Sequence, residues 1–203
     1  PMEKPLWQPS PERVAAANLT AFRGHVRERW GVTARDYAEL HQWSVTERAR
    51  FWQSVWSFCG AIGDPGSEPA LVDGEKMPGA RWFPKARLNF AENLLRRRDR
   101  SPAIVFWGED RLKSMVTWAE LYAEVSRLSQ ALHDAGIRPG DRVAGYMPNV
   151  PGTIIAMLAT ASLGGIWSSC SPDFGVQGVL DRFGQIEPRV LFAVDGYFYN
   201  GKT

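Results

Sequence analysis

Gly140-Asp141-Arg142-Val143-Ala144-Gly145-Tyr146-Met147-Pro148-Asn149-Val150-Pro151 opens the stretch on which the fold turns. An apolar run follows, then Gly164-Gly165-Ile166-Trp167-Ser168-Ser169-Cys170-Ser171-Pro172-Asp173-Phe174-Gly175. The stretch closes on Val194-Asp195-Gly196-Tyr197-Phe198-Tyr199-Asn200-Gly201-Lys202. Short β-rich runs at 142–147, 166–169 and 190–194 alternate with helical periods at 150–163 and 176–186. Parallel neighbours need a crossover between them, so this alternation predicts an α/β fold with a parallel sheet. In such sheets ligands sit outside the carboxyl ends of the strands, which puts the loops at 147–150, 171–175 and 195–202 on the ligand edge.

Upstream, Ala103-Ile104-Val105-Phe106-Trp107 reads as a strand ended by Gly108-Glu109-Asp110, with 113–116 as its hairpin partner. Thr117-Trp118-Ala119-Glu120 is a capping box. The helix behind it sets Leu121, Val125, Leu128, Leu132 and Ala135 on one stripe, with Gly136 and Pro139 as stops. Residues 1–98 form a mainly helical N-terminal extension in this reading, and 99–203 the first α/β portion of a larger domain. Ser10-Pro11-Glu12 marks a helix start, and Thr33-Ala34-Arg35-Asp36 and Ser44-Val45-Thr46-Glu47 have the capping-box pattern. Val45, Trp52, Val55, Trp56 and Cys59 keep helical spacing up to Gly60. Of nine Trp, six precede residue 90, so the front part must pack against something sizeable. The opening proline before Met2, and a last strand with no returning helix, are read as signs of an N-terminal piece of a longer protein.

A net charge of +2 gives no reason to expect a nucleic-acid partner. The one basic cluster, Arg96-Arg97-Arg98-Asp99-Arg100, follows an apolar helical pattern and suits a helix C-terminus. Two distant cysteines, Cys59 and Cys170, exclude a disulfide scaffold and favour a cytoplasmic setting. No apolar run reaches the roughly 20 residues of a membrane span. The histidines His25, His41 and His133 lack ligand spacing, so no metal site is expected.

The segment 196–203, Gly-Tyr-Phe-Tyr-Asn-Gly-Lys-Thr, satisfies the phosphate-loop expression and follows a strand. A phosphate cradle needs small residues and a helix behind it, whereas three aromatics fill this loop. A phosphate-loop NTPase is therefore the lesser alternative. In the loop 171–175, Asp173 or Ser171 is expected to cap the next helix, which leaves room for a ligand beside it.

Taken with Leu6-Trp7-Gln8-Pro9-Ser10, Trp82-Phe83-Pro84 and Leu88-Asn89-Phe90-Ala91-Glu92-Asn93-Leu94, these segments resemble the adenylate-forming acyl-CoA synthetases. The run from Ile166 to Gly175 is most similar to the acetoacetyl-CoA synthetase branch. The resemblance implies an ATP-dependent ligase that makes acetoacetyl-CoA through an acyl-adenylate, with ATP, CoA and Mg2+ used by the full-length enzyme. It implies small-molecule substrates, contact with the rest of its own chain, and no catalytic residue within these 203 positions. This stretch alone is expected to be inactive and to hold no cofactor tightly. The resemblance further implies that Ser171, Pro172, Asp173, Tyr197, Phe198 and Lys202 lie beside the CoA nucleotide. Lys202 matches a basic position facing CoA phosphate, and Phe198 stands where the acetyl-CoA branch has a second basic residue. Acetyl- or propionyl-CoA synthesis and a non-catalytic interaction module are the remaining alternatives.

Overall fold

The computed structural model describes residues 6–109 and 112–201. They divide into two compact units, Pro1–Leu88 and Asn89–Thr203.

The first unit is helical. Ser10 accepts from the Arg13 amide and Pro11 sits in the first turn of α1 (Pro11–Ala15). Helices α2 (Asn18–Trp30), α3 (Tyr37–Thr46) and α4 (Arg48–Phe58) follow. Two expected caps are corrected. Asp36, not Thr33, caps α3 through the Glu39 amide, because the helix begins at Tyr37. Ser44 lies inside α3 and its hydroxyl donates to the His41 carbonyl, so no box forms around Glu47. Leu40 and Trp43 of α3 reach the core, and the helix runs on past Ser44 to Thr46.

That core joins Phe22, Val26, Ala34, Leu40 and Trp43, with Phe51 and Phe58 against them. Phe22 meets Phe51 and Phe58 edge-on at centroid distances of 5.9 and 5.2 Å. Trp30 donates to the fully buried Ser54 hydroxyl at 2.8 Å. All six early tryptophans therefore find partners, Trp52 on Trp82, Trp56 on Phe83 and the largely exposed Trp7 under Arg13 among them. Strands β1 (Leu71–Val72) and β2 (Arg81–Trp82) pair antiparallel below the helices in sequence.

The second unit begins ahead of the expected 98/99 boundary. Its first helix, α5 (Phe90–Leu94), packs on α7 (Pro151–Ser162). Asn89 is the reason. Its Oδ1 accepts from the Glu92 amide at 3.1 Å as the cap of α5. Its Nδ2 donates to the last carbonyls of α7, Ala161 at 3.2 Å and Ser162 at 3.0 Å. One side chain thus satisfies stray groups at two helix ends. After α5, Arg98 donates its Nε to the Leu95 carbonyl at the helix end, 2.9 Å away, as the basic cluster suggested, and also lies over Tyr122, while Arg97 lies over Trp118.

Strands β3 (Pro102–Gly108) and β4 (Leu112–Thr117) form the expected antiparallel hairpin. Thr117 and Glu120 close the expected capping box on α6 (Trp118–Asp134). Leu121, Val125 and Leu132 of α6 are buried against Val143, Leu158 and Ala159.

The sheet is parallel, with β5 (Arg142–Tyr146) between β6 (Ile166–Cys170) and β7 (Val190–Ala193). From β5 the chain crosses through α7 to β6, then through α8 (Val176–Ile186) back over β5 to β7. Successive side chains of β5 point to opposite faces. Val143 enters the core under α6 and α7, and Ala144 packs with Cys170 and with Phe183 of α8. Both residues are fully buried, as a strand covered on both faces requires.

Candidate functional site

The carboxyl ends of β5, β6 and β7 open on one side, and the hairpin tip of β3 and β4 lies beside them. Together they enclose a cavity of about 460 Å³. Pro148, Asn149 and Val150 line it after β5, Ser171 and Asp173 after β6, and Tyr197, Phe198 and Tyr199 after β7. From the hairpin come Phe106, Trp107, Glu109 and Leu112. The chain passes to one side of β5 and then to the other, so the cavity lies at a topological switch point.

Hydrogen bonds hold the 171–175 loop from two directions. The Tyr146 hydroxyl, at the last position of β5, points its proton at the Pro172 and Phe174 carbonyls, 2.7 and 2.9 Å away. The Ser171 hydroxyl donates to the Asp173 carboxylate at 2.7 Å, and the Asp173 amide returns to Ser171 Oγ at 3.3 Å. The Tyr197 hydroxyl then donates to the other Asp173 oxygen at 2.8 Å, which ties the β7 loop to the β6 loop. The Ser171 hydroxyl, followed by that of Tyr197, holds the Asp173 carboxyl below its usual value. The same bond to Asp173 raises the Tyr197 phenol.

Asp173 is not a helix cap, which corrects the expectation. Gly175 occupies the N-cap of α8 without a side-chain bond, so Asp173 lies two positions too early to reach the first-turn amides. Its carboxylate turns to the neighbouring loop instead. Phe174 leaves the cavity to pack under Arg182, whose guanidinium carbon is 4.1 Å from the ring centroid.

Of the residues expected at the site, Ser171, Asp173, Tyr197 and Phe198 share this cavity, and the Pro172 carbonyl is held by Tyr146 just behind it. Lys202 lies outside the described residues. The sequence reading passed over three residues. Tyr146 belongs to the expected strand 142–147, and its place at the carboxyl end of that strand was a usable signal. Trp107 and Glu109 belong to a hairpin that no local pattern connects with the sheet. Trp107 is 65% exposed and carries the Lys113 ammonium 4.2 Å from its ring centroid.

The lining is aromatic on several sides and bears two carboxylates, with no basic side chain among the described residues of the wall. Such a cavity suits a flat ring system better than a bare phosphate. Among the described residues no group of three His, Cys, Asp or Glu could hold a metal ion. No helix of the described residues is long and apolar enough to cross a membrane. Cys170 is buried beside Ala144, and His25 packs with Phe22 and Phe58 and bonds Ser57.

Comparison with known proteins gives the family. The model of the AMP-binding enzyme family matches residues 90–201, and that of the acetyl-coenzyme A synthetase N-terminus matches 37–94. Acetoacetyl-coenzyme A synthetase of Rhizobium meliloti (strain 1021) is 57% identical over 98% of this chain and 31% of its own length. Acetoacetyl-CoA synthetase of Danio rerio is 40% identical, over 98% of this chain and 30% of its own. The solved structure of acetoacetyl-CoA synthetase from Streptomyces lividans superposes with a TM-score of 0.88 at 47% identity. That match covers 98% of this chain and 31% of the solved one. The chain thus spans about 30% of the length of the curated relatives it matches.

Proposed function

The chain belongs to the AMP-binding enzyme family, and on that premise we propose that it is the N-terminal part of an ATP-dependent acid–thiol ligase. The reaction is the conversion of acetoacetate and CoA to acetoacetyl-CoA. The observation that carries this reading is the likeness to acetoacetyl-CoA synthetases over nearly the whole chain. A carboxylate oxygen is a poor leaving group, so the acid must first be activated. Acetoacetate attacks the α-phosphorus of ATP, pyrophosphate leaves, and a mixed anhydride forms. The CoA thiolate then attacks the acyl carbon and AMP leaves.

The residues of this chain serve the CoA side. The 171–173 loop and Tyr197 with Phe198 form walls for the CoA nucleotide, fixed to each other by the Asp173–Tyr197 bond. Lys202 faces a CoA phosphate in this reading, and Phe198 contributes ring surface in place of a second cation. No catalytic residue is assigned among these positions. Mg2+ accompanies ATP as its counter-ion in this reading. The partners are small molecules and the remainder of the protein's own chain, in a cytoplasmic setting and without nucleic acid.

The test is CoA thioester formation by the full-length protein, with acetoacetate, acetate and propionate compared. The highest kcat/KM is expected for acetoacetate. Preference for acetate or propionate would replace this substrate with the acetyl or propionyl alternative, which the match to an acetyl-coenzyme A synthetase N-terminus keeps in view. The 203-residue polypeptide alone is expected to show no acetoacetate-dependent pyrophosphate exchange.

A further inference from the structure

The geometry points to Glu109 as a positioning residue that latches the 196–201 loop across the mouth of the cavity and so sets the CoA site. Glu109 follows β3 in the hairpin turn, and its two carboxylate oxygens accept from two consecutive backbone amides, those of Asn200 and Gly201. The Gly201 bond is 3.1 Å long. Asn200 and Gly201 both have left-handed backbones, φ 49° and 74°. Two adjacent amides presented this way form a small anion-binding concavity. In the segment that matches a phosphate loop, these amides thus serve a protein carboxylate rather than a nucleotide phosphate.

Glu109 itself sits at φ 52°, a conformation that costs a β-carbon-bearing residue free energy. Glycine would relieve that cost at this turn but has no side chain to reach the facing loop. The latch is one of two. Tyr197 is held by Asp173 from the β6 side, and Asn200 and Gly201 are held by Glu109 from the hairpin side. Between these fixed points lie Phe198 and Tyr199, the rings that close the wall. Without Glu109 the far end of the loop loses its charge-assisted bonds, and the rings lose their placement.

The kinetic half of this inference rests on the CoA-site reading above; the structural half does not. In the full-length protein, Glu109→Ala is expected to raise the KM for CoA about tenfold. Glu109→Gln keeps one acceptor oxygen and should fall between Ala and the parent. Independently of activity, chymotrypsin should cut Glu109→Ala faster at Tyr197, Phe198 or Tyr199, with the products identified by mass. Unchanged cleavage in this variant overturns the latch. Faster cleavage with an unchanged KM for CoA overturns its role at the CoA site. If the parent protein forms no thioester with any acid, the proposed function falls, while the cleavage comparison still decides the latch.

Discussion

Asn89 shows how much one amide can do. It caps α5 with its oxygen and the end of α7 with its nitrogen. Asn89→Asp would keep the first bond and set a carboxylate against the negative end of α7. A loss of about 1–3 kcal/mol is expected in urea unfolding, at least as large as that of Asn89→Ala, although Asp is a good cap elsewhere. Equal stability of the Asp variant and the parent would refute the double role. The Asp173–Tyr197 pair makes a pH prediction of its own. Asp173's carboxyl is lowered, so its contribution is full above the ordinary 3.8 and fades as pH falls through the lower folded value. Tyr197's phenol is raised, so its contribution is full below the ordinary 10.0 and is lost as pH rises through the higher folded value. The tie should therefore hold across the window between and fail at both ends. In Asp173→Asn the phenol absorbance assigned by difference from Tyr197→Phe should titrate closer to 10.0. An unchanged curve would contradict the bond.

Among the elements, β5 is the most constrained, and Gly145 shows why. A Cβ there would lie 2.6 Å from two atoms of the Trp167 ring, which crosses from the neighbouring strand. Trp167 packs against the core that holds Val143 and lies 6.2 Å from the Phe192 ring of β7. Gly145→Ala is expected to cost about 1–3 kcal/mol in chemical denaturation. A Gly145→Ala, Trp167→Leu double variant should recover part of that loss, since the leucine leaves space for the methyl group. The α3–α4 junction teaches the opposite lesson. Ser44 has the residues of a cap around it, yet the hydroxyl serves the His41 carbonyl because α3 runs on to Thr46. A capping pattern is a local preference, and a residue already inside a helix spends its hydroxyl on the preceding turn instead.

At the scale of the whole molecule, each unit has its own core. In the second unit Leu158 is fully buried where α5, α6 and β5 converge on α7. Leu158→Ala is expected to lower stability by about 2–5 kcal/mol, and Leu158→Met by less than about 1.5 kcal/mol. Similar losses for the two variants would show that the site is not close-packed. The cavity at the strand ends depends on that packing, because the three loops around it take their positions from β5, β6 and β7.

The order of elements from 102 to 193, the capping box at Thr117 and the parallel sheet were all legible in the residues, since each rests on a local period or a contact within one turn. Four of the six expected site residues could be brought to one cavity for the same reason: strand ends can be counted along the chain. Which strand lies in the middle, and what the loops touch, could not be read this way. The approach of Glu109 to Asn200 and Gly201 spans about ninety positions, and that of Tyr197 to Asp173 more than twenty. Nothing in either partner's neighbours marks the other. Only the folding of β7 back beside β5 brings those groups within hydrogen-bonding distance, and there Asp173 exchanges the cap suggested by its sequence for a tyrosine hydroxyl.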